Sequence, residues 1–495
     1  MRDPDWLLDC KPRDVQIEAL RRSYQGLALY DGVDDLPFEE RLPHFGSPAN
    51  GWGHFMEMRL GKTATVLNEF MLFKRDHGVR RALIVSPNSL KFGWADEAIR
   101  FGLDVPVFVF DSSPAGRKHA TAFMRDHAEA LVVVNYEAFV APSNVELFAS
   151  WLSKPCFMVA DESVKIKNPN SVVFKRLFAL SKDAAVTRAL TGLPAPQAVT
   201  DLWSQFRFIR QLDGVNFYQF RATYAKTGGF QGKQIVGLRN EDKLAKLMKS
   251  HTFVASRRNW GGYLPPDFDI AEAPLLPAQL EAYKTMERDF IVWLNEEGAN
   301  VSADQVLAKH IKLQQISSGF IIDEEKRIHA LVPFNSTPKF LDLQSRLRDF
   351  INGKALVIAR YSHTVAELVE HLAEFNPAVI RGAAQMAIAG VSVEDEKSRF
   401  NNDPACRVMV AQIDAVKYGH TLVGTLDDPC STVVFYENSY SLDDRAQAEQ
   451  RPQGFGQGRC TYILDYASTP IEKAVIRTLQ AKRRVSDTIL GHYRP

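Results

Sequence analysis

The sequence predicts an α/β protein with two similar lobes, each a parallel sheet flanked by helices, and helical insertions between them. Three observations predict it. Short apolar runs alternate with helix-compatible stretches before residue 200, and the same alternation returns after residue 346. Continuous runs of this kind, rich in β-branched residues, suit strands buried on both faces of a parallel sheet. Finally, Gly61, Lys62 and Thr63 end a loop over residues 53–63 and open an apolar, helix-compatible run (Ala64, Val66, Leu67, Phe70). That is the second half of a phosphate-cradling loop.

Taken in order, residues 1–25 hold Lys11-Pro12-Arg13-Asp14-Val15-Gln16 and then a helical pattern of Ile17, Leu20 and Tyr24. Residues 26–52, rich in Gly, Pro and Asp, read as a surface loop. Gly53 stands where the first glycine of the phosphate loop belongs only if that loop is longer than usual. Strands are expected at 82–85, 131–134, 157–160 and 189–190. Residues 200–345 read as mostly amphipathic and polar helix, broken at Gly228-Gly229 and at Leu264-Pro265-Pro266. A second set of strands is expected at 355–358, 378–380, 408–410, 432–435 and 462–464, closed by a helix from about Ile471 to Leu490. The expected domains are a first lobe over 1–266 with a helical insertion near 200–260, a helical connector over 267–345, and a second lobe over 346–495.

Composition bounds the function. With 495 residues, 45% hydrophobic and 24% charged, the chain is long enough for two or more domains with a sizeable core. No apolar run reaches membrane-spanning length, and the start is too polar for a signal peptide, so no membrane is expected. The five cysteines are scattered, with no Cys-x-x-Cys pair, which argues against a zinc site or disulfide framework and for a reducing cytosol. A cytoplasmic protein of a bacterial or phage-infected cell is expected. The net charge of +1 gives no global field for nucleic acid, so any such surface must be a local stripe.

Two motifs carry chemistry on their own terms. Backbone N–H groups at a helix N-terminus suit an anion. Lys62 can reach the outer phosphates of a nucleotide, and the Thr63 hydroxyl can hold Mg²⁺. Asp161-Glu162 directly follows the apolar run 157–160. A carboxylate at the end of a strand beside a phosphate loop can hold Mg²⁺, and its neighbour can polarise the attacking water.

Asp161-Glu162-Ser163-Val164-Lys165-Ile166-Lys167-Asn168-Pro169 resembles the second motif of superfamily-two helicases, and specifically of the Swi/Snf-like translocases. Thr191-Gly192-Leu193-Pro194 resembles the third motif. Gln16 after Lys11-Pro12 resembles the adenine-reading glutamine. Ser86-Pro87-Asn88-Ser89-Leu90 with Trp94 and Glu97 is similar to the first DNA-strand motif, and Asn135-Tyr136-Glu137 to the next. Arg257-Arg258 with Leu264-Pro265-Pro266, Gln314 to Gly319 and Ser336 to Lys339 also match family sequence. In the second lobe, Tyr440 to Arg451 resembles the sixth motif. The matches keep the family's order from residue 11 to about 485.

The resemblance implies two RecA-like lobes with ATP and Mg²⁺ in the cleft between them, and nucleic acid, double-stranded DNA above all, lying across both. It implies catalytic roles for Lys62, Asp161, Glu162, Gln447 and Arg451, and nucleotide binding by Gln16, Gly61, Lys62 and Thr63. Thr63 and Asp161 would hold Mg²⁺. Ser86, Asn88, Trp94, Asn135, Tyr136, Lys417 and His420 would meet nucleic acid. For Trp94 and Phe92 core packing stays an alternative to stacking on bases, and for Lys482-Arg483-Arg484 a solvated face does. A monomer is expected, with room for a protein partner.

Departures from the family pattern in four motifs matter. The second arginine of the sixth motif, its arginine finger, is Gly454 here, and Arg459 lies several residues away. The paired glycines of the fifth motif are Val416 and Lys417. Leu193 replaces threonine in the third motif, and Ser163-Val164 replaces Ala-His in the second. A translocase or helicase is therefore expected alongside an alternative, a slow or inactive ATPase serving as a nucleic-acid- or partner-binding module. A metabolic phosphate-loop kinase would not need the second lobe. No reader, nuclease or methyltransferase domain is expected.

Overall fold

A computed structural model describes residues 4–24, 50–228, 234–260, 264–297, 303–416, 421–425, 427–453 and 460–491. The chain divides into two compact units, one of Met1–Tyr263 with Lys482–Pro495 and one of Leu264–Ala481. Each is an α/β layer structure around a parallel sheet, the class the apolar runs predict.

The first unit contains β1 (Gly51–Met56), β2 (Arg81–Ser86), β3 (Val107–Val109), β4 (Ala130–Asn135), β5 (Cys156–Asp161) and β6 (Val186–Leu190). A hairpin of β7 (Ala225–Gly228) and β8 (Gln234–Leu238) follows, and then β9 (Thr252–Ala255). The seven-stranded sheet runs β3-β4-β2-β5-β6-β1-β9, and its pairings are parallel. Successive side chains of a strand point to opposite faces, so each strand feeds two cores. Leu83, Val85, Val132, Val134, Met158 and Ala160 pack into one core. Ala82, Ile84, Leu131, Val133, Phe157 and Val159 pack into the other. Burial on both faces is why these strands read as unbroken apolar runs. Val485 and Ile489, near the end of the helix Pro470–Gly491, join the first of these cores.

The second unit contains β10 (Asp267–Ala271), the hairpin β11 (Phe320–Ile322) and β12 (Ile328–Ala330), β13 (Lys354–Ala359), β14 (Ala378–Ile380), β15 (Val408–Gln412), β16 (Cys430–Phe435) and β17 (Tyr462–Tyr466). Its six-stranded sheet runs β10-β17-β16-β13-β15-β14, again parallel. The same alternation recurs: Val357, Val410, Val434 and Leu464 face one core, and Ile358, Met409, Phe435 and Ile463 the other.

Two expectations need correction. Residues 51–56 are not loop but β1, buried along its length and seated between β6 and β9. Gly53 pairs with Thr252 and Ala189 inside the sheet, so it is a strand glycine and not the first glycine of the phosphate loop. The segment over 200–345 is also less helical than expected, since it holds β7 to β12. Gly228 ends β7, and Gly229 lies outside the described residues. Among the described residues no helix is long and apolar enough to cross a membrane.

Candidate active site

Ligands of parallel α/β sheets gather beyond the carboxyl ends of the strands. Most of the expected site residues of the first unit occupy that edge. Glu57 to Thr63 leave β1, Asp161 ends β5, Thr191 follows β6, Ser86 ends β2 and Asn135 ends β4. β6 lies between β5 and β1 in the sheet, so Thr191 stands between the acidic pair and the phosphate turn.

The turn after β1 is short and is held from outside. Arg59 takes a left-handed φ of 69° and Gly61 one of 87°. The helix α1 (Asp14–Ser23) lies against both. Arg13 Nη1 donates to Arg59 O at 2.6 Å, and Gln16 Nε2 donates to Gly61 O at 3.1 Å. From the other side, the Glu57 carboxylate accepts from Arg257 N at 3.0 Å and Arg257 Nε at 3.3 Å. Burial, and then Arg257, lowers the Arg59 guanidinium to about 10. Arg59 stands in the turn that leads into Lys62, so an anion there would favour its charged form. The helix α2 (Lys62–His77) begins there, and its N-cap Gly61 offers no side-chain cap to the first N–H groups, which suits them to an anion.

Lys62 Nζ donates to Met56 O at 2.8 Å, folded back on the end of β1. Its charge also reaches Asp161. Burial pushes the Asp161 carboxyl up, while the Trp94 indole N–H, the Lys62 ammonium and the Glu162 N–H pull it down. Glu162 sits in a left-handed conformation, φ 48° and ψ 55°, and is buried. A non-glycine residue held there signals strain maintained by its surroundings. Thr191 Oγ1 donates to Glu162 Oε2 at 3.3 Å, so the Thr191-Gly192-Leu193-Pro194 segment touches the Glu162 carboxylate. The Thr63 hydroxyl lies near the Glu97 carboxyl, on the helix α3 (Lys91–Arg100). Burial pushes the Glu97 carboxyl up, against the pull of Thr63 and Arg100.

These donors fit Mg²⁺. Thr63, Asp161 and Glu162 offer hard oxygens only, and Mg²⁺ takes one or two protein oxygens together with substrate phosphates. The Gln16 amide is already used at both ends: Oε1 accepts from Arg13 N at 2.8 Å, and Nε2 serves Gly61. Adenine contact by Gln16 therefore competes with the bonds that hold the turn.

Three residues expected to meet nucleic acid are instead interior. Ser86 is fully buried. Trp94 is 3% exposed, and its Nε1 donates to Asp161 Oδ2 at 2.8 Å. Tyr136 is 4% exposed, and its hydroxyl donates to Asp161 O at 2.6 Å. A buried indole or phenol needs a polar partner, and here both partners belong to Asp161. Asn88 is exposed, and Asn135, half-buried, donates to Glu137 at 2.9 Å. Phe92 is largely exposed. Lys417, His420, Gly454 and Arg459 lie outside the described residues.

In the second unit, Gln447 lies on the helix Leu442–Glu449 and donates to Asp443 Oδ1 at 3.0 Å. Arg451, just past that helix, is buried, and its carbonyl accepts from Leu422 N at 3.2 Å. The sequence reading missed the anchor of this helix. Arg445 forks onto Asp465 at 2.6 and 2.8 Å, reaches Glu449 at 2.7 Å and Asn438 at 2.7 Å, and stacks over Phe435. The signal was present as an Arg–Glu pair four residues apart, 445 and 449.

Comparison with known proteins places this geometry in context. The model of the SNF2-related domain matches residues 54–319, more than half of the chain. Protein p41 of Acyrthosiphon pisum secondary endosymbiont phage 1 is 23% identical over 88% of this chain and 93% of its own length. An uncharacterized ATP-dependent helicase of Mycoplasma genitalium is 27% identical over 87% of this chain, which spans only 39% of that protein. The solved Sulfolobus solfataricus SWI2/SNF2 ATPase core in complex with dsDNA aligns with 98% of this chain and 94% of its own at 17% identity and a TM-score of 0.41.

Proposed function

Because the chain belongs to the SNF2-related domain family, we propose that it is an ATP hydrolase that couples nucleotide turnover to movement along double-stranded DNA. The observation that carries this reading is the convergence of Lys62 and Thr63 with Asp161 and Glu162 at one edge of one sheet.

In this reading Lys62 leaves Met56 O and neutralises the outer phosphates, and the N–H groups at the start of α2 receive the phosphate oxygens. Thr63 and Asp161 would hold Mg²⁺, which when bound adds charge neutralisation across the outer phosphates. Glu162 accepts a hydrogen bond from the attacking water, fixes its direction and takes its proton as the water oxygen bonds to the terminal phosphorus and the bond to the bridging oxygen, which leaves with ADP, breaks. Thr191 keeps the Glu162 carboxylate aimed. Gln16 reads adenine from the turn it braces. Gln447 and Arg451 of the second unit supply donors and positive charge to the terminal phosphate. Phosphoryl transfer depends on such positioning and charge placement. Asn88 and Asn135, with Lys417 and His420, contact nucleic acid.

The test is ATP hydrolysis by the full chain with no nucleic acid, duplex DNA, single-stranded DNA and RNA. Duplex should stimulate most, and Lys62→Ala and Glu162→Gln should each abolish the stimulated rate. If neither substitution changes it, the assignment is wrong. Duplex affinity should fall steeply with salt as phosphate contacts release counterions. A second reading, a slow ATPase that grips nucleotide and DNA, is favoured by Gly454 alone. A low rate with tight ATP and duplex binding would select it.

A further inference from the structure

Helix α3 touches both expected metal ligands. Trp94 and Glu97, three residues apart on it, share one face. Trp94 Nε1 donates to Asp161 Oδ2 at 2.8 Å, inside the core. Glu97 lies near enough to the Thr63 hydroxyl for that hydroxyl to pull its carboxyl down. Thr63 opens α2 and Asp161 ends β5, so α3 bridges two elements that the sheet order keeps two strands apart.

Both contacts leave the metal-facing lone pairs usable. The indole occupies one site on Oδ2 and the Glu162 N–H, at 3.0 Å, one on Oδ1, which fixes the carboxylate plane. A hydroxyl has one proton and two lone pairs. A Thr63 proton turned towards Glu97 would leave the lone pairs of Oγ1 for a metal. Tyr136 adds a third hold by donating to Asp161 O at 2.6 Å.

We propose that Trp94 and Glu97 are positioning residues that set the geometry of the Thr63–Asp161 metal site, in place of the nucleic-acid contact the sequence suggests for Trp94. This rests on the nucleotide reading above. Outer partners of metal ligands typically govern affinity by about 10- to 100-fold.

The test uses Mn²⁺ as the probe, with bound and free ion separated by electron paramagnetic resonance of the full chain in the presence of ADP. Trp94→Phe and Glu97→Ala should each weaken Mn²⁺ binding by about 10-fold or more, with duplex affinity, read by anisotropy, unchanged. Glu97 is partly exposed, so its variant carries the test if the tryptophan variant does not fold. Wild-type Mn²⁺ affinity in the variants, or a Trp94→Phe loss confined to duplex binding, overturns the inference. If the unsubstituted chain fails to bind Mn²⁺ with ADP, the nucleotide reading falls, and this inference with it.

Discussion

Gln16 Nε2 lies 3.1 Å from Gly61 O, and a β-carbon on Gly61 would stand 2.4 Å from that same nitrogen. The left-handed φ of 87° and the packed amide thus demand glycine for separate reasons. Gly78, which caps the other end of α2 at φ 65°, has open space where a β-carbon would go. Gly78→Ala should lose only the cost of φ, about 1 kcal/mol. Gly61→Ala should lose clearly more, and should release Gln16 from the turn. Urea denaturation of the two variants checks this, and equal losses would show that Gln16 swings aside freely.

Beneath that turn, three charged or polar side chains are sealed in the core. Arg188 forks onto Glu69 at 2.7 and 3.0 Å, and His54 Nε2 lies 3.1 Å from Glu69. All are fully buried, and Arg188 also lies over Phe73 and Phe157. Leaving one partner of a buried pair alone costs about 3–5 kcal/mol, whereas replacing both with apolar groups is far milder. Arg188→Met should therefore destabilise the first unit strongly, and Glu69→Leu with Arg188→Met should recover most of the loss. Thermal unfolding of the single and double variants checks it.

The same triad predicts an acid limb. Burial pushes the Glu69 carboxyl up, but Arg188 and His54 more than offset this and hold it at about 2, against an ordinary value of 4.5. A depressed folded value stabilises above the unfolded value and is lost as pH falls. Stability of about 3 kcal/mol should disappear between pH 4.5 and 2. In Glu69→Gln that contribution should be absent at every pH, and the limb correspondingly flatter by equilibrium unfolding.

By its resemblance to the sixth motif, the sequence is expected to carry Gly454 where an arginine finger would stand. A finger contributes roughly 10³ to 10⁵ in rate. Gly454→Arg should raise duplex-stimulated turnover if that missing charge limits it. An unchanged or lower steady-state rate would mean another group already serves.

Much of the fold was legible because both sheets are parallel and buried on both faces, so 82–85, 131–134, 355–358 and 432–435 stand out as apolar runs. β1 was not legible. Gly51, Gly53 and His54 break its apolar run, yet its place between β6 and β9 buries it, with His54 satisfied by Glu69. β10 was missed for another reason, since its Asp267-Phe268-Asp269-Ile270-Ala271 run alternates and most of its residues are exposed. At the candidate site, residue spacing pointed to Lys62 and Thr63 at a helix start and Asp161 at a strand end, where the structure has them, but not to the direction in which Trp94 and Tyr136 point. Only tertiary packing turns those two rings onto Asp161.

Arg445 offers the last prediction. It is buried among Asp465, Glu449 and Asn438 on the helix that carries Gln447 and leads to Arg451. Burial pulls its guanidinium down, but Asp465 and Glu449 more than restore the charge. Arg445→Met would strand two buried carboxylates, so the second unit should lose about 3–5 kcal/mol. Arg445→Lys keeps the charge but loses the planar fork, so it should fold while holding the helix less firmly. If Gln447 and Arg451 serve the terminal phosphate, Arg445→Lys should lower kcat for ATP with little change in KM, because nucleotide would still dock on Lys62 and Thr63. A raised KM at unchanged kcat would instead place Arg445 in the support of ground-state binding and detach this helix from the hydrolysis step.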